Sequence, residues 1–149
     1  MRLSTRGEYA SRAMLELSLR YGQGPVPIKI ISLSQAIPQP FLEQILLSLK
    51  RAGYVKSKKG PSGGYYLARP PAEISVAEVI RVLDGPLAPI NCVSVIDHEP
   101  CPFENRCGLR WLWKEVRDMV ASHLEKTTFE DVVRKHLEIK KNQSGGAIR

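Results

Sequence analysis

At 149 residues and 43% hydrophobic, the chain is long enough for one domain with a real core and too apolar to read as disordered. No apolar run approaches the roughly 20 residues of a membrane span, and Met1-Arg-Leu-Ser-Thr lacks the apolar stretch of a signal peptide, so the expected location is the cytoplasm. Net charge is +7 and uneven: residues 1–69 carry eleven Lys/Arg against Glu8, Glu16 and Glu43, whereas 70–149 carry eleven against twelve acids, so the whole excess lies where a phosphate-binding surface would need it.

Thr5-Arg-Gly-Glu8 has the form of a capping box. It predicts an amphipathic helix with Ala10, Ala13, Met14, Leu17 and Tyr21 on its inner face, stopped by Gly22-Gln-Gly-Pro25. A short apolar helix is expected over about 28–36, followed by the break at Ile37-Pro38. Pro40 suits the first turn of a third helix, where its missing N–H costs nothing. That helix should run to about Ala52 and bury Leu42, Ile45, Leu46 and Leu49, with Gln39, Glu43, Gln44, Ser48 and Arg51 facing elsewhere; Leu47 also falls off the buried face. Gly53-Tyr54-Val55 begins a strand, Lys56 to Gly64 forms a basic, glycine-rich tip, and Tyr65-Tyr66-Leu67-Ala68 returns. The predicted class is mainly α with a small β-hairpin wing, a winged helix-turn-helix over 1–69. A helix about 10–12 Å wide fills a DNA major groove, and wing lysines reach the phosphates beside it.

Residues 70–86 read as a connecting helix, opened by the capping box Ser75-Val-Ala-Glu78 with Val76, Val79, Ile80 and Leu83 inward, and ended by Asp84-Gly85-Pro86. Residues 87–107 form a loop whose Pro89, Pro100 and Pro102 oppose regular structure. It carries every cysteine of the chain, Cys92, Cys101 and Cys107, with eight and then five residues between them. An odd, clustered set in a reducing compartment points to metal binding or redox chemistry rather than structural disulfides. Residues 108–139 read as dimerisation helices, the first striped with Leu109, Leu112, Trp113, Val116, Met119, Val120, His123 and Leu124, the second capped by Thr127-Thr-Phe-Glu130. Residues 140–149 read as a disordered tail. Nothing in the chain forms a nucleophile–base pair or a phosphate-cradling helix start, so an enzyme is not expected.

Leu3-Ser4-Thr5-Arg6-Gly7-Glu8-Tyr9-Ala10, Phe41-Leu42-Glu43-Gln44-Ile45-Leu46, Leu49-Lys50-Arg51-Ala52-Gly53-Tyr54-Val55 and Lys59-Gly60-Pro61-Ser62-Gly63-Gly64-Tyr65 closely resemble the IscR/NsrR-like family of bacterial winged-helix regulators. The resemblance spans residues 1–139 and includes the three-cysteine loop. It implies a homodimeric repressor-type regulator that binds a palindromic operator in double-stranded DNA and senses iron–sulfur cluster, redox or nitric oxide status. Gln39, Phe41, Glu43 and Gln44 fall where the family's recognition helix meets bases and backbone, and Lys58, Lys59 and Ser62 fall in its wing. A carboxylate such as Glu43 accepts from cytosine N4 and repels phosphate, so it would select sequence without adding general affinity.

The same resemblance implies an iron–sulfur cluster on Cys92, Cys101 and Cys107, with 2Fe–2S favoured and 4Fe–4S open. Soft thiolates suit such clusters, and ligation asks for a fourth donor. In IscR-type members a histidine three residues after the last cysteine supplies it. Here that position is Arg110, which stays protonated and does not ligate. Three possibilities remain: Glu8, at a position where some members use an acidic residue from the partner subunit; His98 within the loop; and no protein donor, the fourth position being left to a small thiol, water or nothing. The alternatives are a cluster-free thiol-redox regulator and a structural zinc site built from the three cysteines and His98.

Overall fold

The apolar faces of the first three helices converge on one core in the computed structural model, which describes residues 2–146. In chain order the elements are α1 (Thr5–Leu19), α2 (Ile28–Gln35), α3 (Gln39–Arg51), β1 (Val55–Lys58), β2 (Gly64–Leu67), α4 (Val76–Asp84), α5 (Gly108–Lys126) and α6 (Phe129–Gly146). Ala10, Ala13, Met14 and Leu17 of α1 meet Ile31 of α2 and Leu42, Ile45, Leu46 and Leu49 of α3, all buried. Each of the larger side chains, the leucines, isoleucines and Met14, contributes about 1.5–3 kcal/mol by leaving water. Val55 and Leu67 close the core from the hairpin, Val79 from α4 and Phe129 from α6. Tyr21, expected inward, lies beyond the end of α1 and is 48% exposed.

β1 and β2 pair antiparallel, Val55 opposite Leu67 and Lys58 opposite Gly64. A third segment joins their free edge: Val26 and Tyr65 exchange two backbone hydrogen bonds of 2.8 Å. Gly64 is required here, because a Cβ at that position would stand 2.3 Å from the backbone of Val26. On the other side of the hairpin, Lys50 of α3 donates to Ser57 of β1 at 2.6 Å.

Two helix starts differ from expectation by one residue. The cap of α1 is Ser4, whose hydroxyl accepts from Gly7 N at 3.0 Å, and not Thr5. Gly7 has no side chain with which to complete the box. Asp84, the last residue of α4, supplies the missing acceptor by taking the Ser4 N–H at 3.1 Å and the Ser4 hydroxyl. The cap of α6 is Thr128, paired reciprocally with Asp131, rather than Thr127 with Glu130. Thr127 instead donates to the carbonyl of His123 at the end of α5. The box at Ser75 and Glu78 forms as expected. α6 continues to Gly146, so the tail expected from Lys140 is helical to that point, and residues 147–149 lie outside the described residues.

Candidate DNA interface and cysteine loop

α3 buries one face completely and leaves the other free. Gln39, Phe41, Glu43 and Gln44 are all exposed along it, as are Lys50 and Arg51 in its last turn, and the wing exposes Lys56, Lys58, Lys59 and Ser62. Leu47 is 39% exposed and belongs to this outer face. Phe41 is more than a free surface group: its ring meets Tyr9 of α1 edge-on, centroids 6.5 Å apart at 65°. Arg12 lies over the Tyr9 ring, 5.7 Å from its centroid, and also bonds the carbonyl of Gln35, tying α1 to the end of α2. The helix-turn-helix is thus held to α1 by side chains as well as by the core. Periodicity found the α3 face, whereas the Val26 edge and the Tyr9–Phe41 contact carry no local signal in the chain.

The cysteine loop is irregular but not loose. Two 3-10 turns lie within it, Asn91–Val93 and Glu104–Arg106. Val93 and Ser94 are buried, and Arg117 of α5 donates to the Val93 carbonyl. The eight-residue gap is drawn together at its neck, where Asn91 Nδ2 donates to Glu99 at 2.8 Å. Cys92 therefore lies just inside this closed neck and Cys101 just outside it, with Val95 and Ile96 at the tip 78% and 70% exposed. Cys107 stands at the start of α5. All three cysteines are free and half-buried.

Glu104 organises the rest of the loop. Its Oε1 receives Arg110 Nη2 at 2.8 Å and lies 3.2 Å from His98 Nε2. His98, the nearer candidate for a fourth donor, is thereby engaged within its own loop. Glu8 is not: with Ser4 as the cap it has no capping role, its side chain is 61% exposed, and its ion pair with Arg12 is long, at 3.7 Å. Among the described residues no three of His, Cys, Asp and Glu converge on a point that would hold a metal ion.

Comparison with known proteins decides between winged-helix families. The model of the Rrf2 family, described as an iron-dependent transcriptional regulator, matches residues 3–135. The chain belongs to the Rrf2 family. Relatives include the HTH-type transcriptional regulator CymR of Bacillus subtilis, 38% identical over 132 residues and 89% of each chain. The regulator IscR of Photorhabdus laumondii is also 38% identical, over 89% of this chain and 79% of its own. Among solved structures, CymR of B. subtilis, described as its global cysteine regulator, superposes with a TM-score of 0.76 at 36% identity, covering 91% of this chain and 98% of that one. IscR of T. potens gives 0.74 at 32% identity, covering 91% and 88%. These Rrf2 relatives are transcriptional regulators, not enzymes, and the mainly helical fold with its two-stranded wing is theirs. No helix among the described residues is long and apolar enough to cross a membrane.

Proposed function

We propose that this Rrf2 protein is a homodimeric repressor, working in the cytoplasm, that binds a palindromic operator and senses iron–sulfur, redox or nitric oxide status through Cys92, Cys101 and Cys107. The observation that carries it is the placing of three free, half-buried thiols on one segment between α4 and α5. At its upstream end that segment begins just after Asp84, which holds the cap of α1. At its downstream end it runs into α5, a helix of 19 residues with no buried side chain among the described residues. A change at the thiols would therefore act on the frame of the recognition helix and on α5, whose outer apolar face is uncovered, at once. In this proposal Gln39, Phe41, Glu43 and Gln44 read the major groove, and Lys58, Lys59 and Ser62 hold the backbone beside it. Thiolates suit an iron–sulfur cluster, 2Fe–2S before 4Fe–4S. Glu8, exposed and relieved of capping, is a better fourth donor than His98, which Glu104 occupies.

A second reading has an observation of its own. The donors do not converge in one chain, and a solved relative, CymR of Staphylococcus aureus, is described in an oxidised form. A cluster-free thiol regulator would have this loop without any metal. Iron, acid-labile sulfide and the visible spectrum of anaerobically purified protein separate the two, with Glu8→Ala and His98→Ala alongside. Stoichiometric iron and sulfide, with colour lost in Glu8→Ala alone, is the expected result. A colourless protein after anaerobic reconstitution ends the cluster reading, and bound zinc without sulfide would mark a structural site instead.

A further inference from the structure

A second cleft lies away from the cysteine loop, between the end of α1, the turn at Gly22–Pro25 and the wing. Its volume is about 470 Å³, within the size range of small-molecule sites. Its floor is apolar and packed into the core: Leu17, Val26 and Leu67 are each at most 5% exposed. Two tyrosines stand at its sides, Tyr21 at 48% and Tyr66 at 38% exposure. Large aromatic rings left half in water beside an apolar floor gain most from a flat partner that covers them. Neither ring belongs to a paired aromatic contact among the described residues.

The charge lining the cleft has one sign. Arg20 and Lys58 both line it, and no carboxylate does. Arg20 spends its Nε on Glu16 at 2.6 Å, while Lys58 has no ion pair among the described residues. Lys58 stands on the strand farther from Val26, and its register partner is Gly64. That glycine offers no side chain between Lys58 and the cleft. The residue that lets the Val26 backbone approach the hairpin thus also opens the way for a lysine across it.

We propose that this cleft is a binding site for a small, flat aromatic anion, held between Tyr21 and Tyr66 with its charge on Lys58. Because Lys58 also faces DNA in the wing, the ligand and a backbone phosphate compete for the same ammonium group. Occupancy then weakens DNA binding through the loss of one phosphate contact, without any change at the cysteines.

The test has two arms, both on the full chain. In the first, 2-naphthoate and its uncharged carboxamide are titrated without DNA, and binding is followed by ligand fluorescence anisotropy in wild type, Tyr66→Ser and Lys58→Ala. The acid is expected to bind wild type, with each variant weaker by about tenfold, the loss of one charge-assisted contact or stacking partner. No binding, equal binding of acid and carboxamide, or equal binding by wild type and variants overturns the site. In the second arm, operator affinity is measured against salt with and without the acid. The magnitude of the slope of log K against log salt should fall by about 0.9, one phosphate contact, in wild type and not in Lys58→Ala. An unchanged wild-type slope at saturating acid overturns the competition. The second arm rests on the wing role of Lys58 proposed above. Lys58→Ala alone, without ligand, tests that role separately, since a slope equal to wild type would remove the wing contact while leaving the first arm standing.

Discussion

Gly7 is required by its neighbour rather than by its own backbone: a Cβ there would lie 2.6 Å from the Asp84 carboxylate. Gly7→Ala must push Asp84 off Ser4 and leave the cap half made, a loss of about 1–3 kcal/mol. Urea unfolding measures it. If the clash is the cause, Gly7→Ala combined with Asp84→Ala costs less than the sum of the two single changes, and strict additivity would show that the contact is idle. Glu16 makes a second prediction at this scale. Burial opposes its charge, but hydrogen bonds from Gln35 and Arg20 outweigh that and hold the carboxyl below the ordinary range. Its folded value being depressed, the ionised group adds stability above the unfolded carboxyl value of about 4.3 and loses it as pH falls through the lower folded value. Glu16→Gln should flatten the stability–pH curve in that acid window and lower stability at neutral pH. Equal acid slopes for both proteins would remove Glu16 from the account.

At the scale of the element, α3 and α6 show what can be read from a chain alone. The inner face of α3 is periodic and local, and its four expected core residues are all at or below 1% exposure. Leu46→Ala should cost about 2–5 kcal/mol and reduce DNA binding only as far as it unfolds the domain. α6 is different. Phe129, at its first position, is 1% exposed and bonds its N–H to the Ile74 carbonyl at 3.0 Å. The last helix is therefore pinned into the N-terminal core by one aromatic ring. Phe129→Ala should cost about 3–5 kcal/mol, measurable by thermal unfolding, and an effect near zero would show that α6 docks by other means. Nothing local marked Phe129 as core, because the buried residues it joins end at Val79, fifty residues earlier in the chain. The same reason moved the cap of α1, whereas the cap of α6, Thr128 with Asp131, is itself a local pair one residue along from the pattern expected. Thr5-x-x-Glu8 was the better local pattern, but Asp84 completes the box of Ser4 from 80 residues away. The cysteines, the wing and the polar face of α3 were legible because their chemistry is carried by residue type at fixed spacing. The Glu104 network with His98 and Arg110 was not, since only the folded loop brings these three together.

For the whole molecule the open question is what covers α5. Leu109, Leu112 and Met119 expose 64%, 40% and 71% of their surfaces, and Val120 a further 36%. Arg117 and Arg81 tie the helix to the loop and to α4, so it is held in place with its apolar row outward. A row of this kind on a fixed helix is costly in water, and a specific dimer of standard size buries about 1,200–2,000 Å². Pairing α5 with the α5 of a second copy would set two recognition helices at a fixed separation. Half-sites about 34 Å apart, one turn of DNA, require such a separation. The expected result is that wild type sediments as a dimer and Met119→Glu combined with Leu112→Glu sediments as a folded monomer. That monomer should hold a single half-site weakly, because linking two half-site contacts multiplies affinity only while the two act as one body. Circular dichroism separates this from unfolding, since the substituted side chains are already exposed and the core is untouched. A wild-type monomer, or a double variant that still dimerises, would move the interface off α5. Because the cysteine loop runs directly into α5 at Cys107, it would also remove the route by which the thiols reach the spacing of the two recognition helices, leaving only the Asp84 contact to α1.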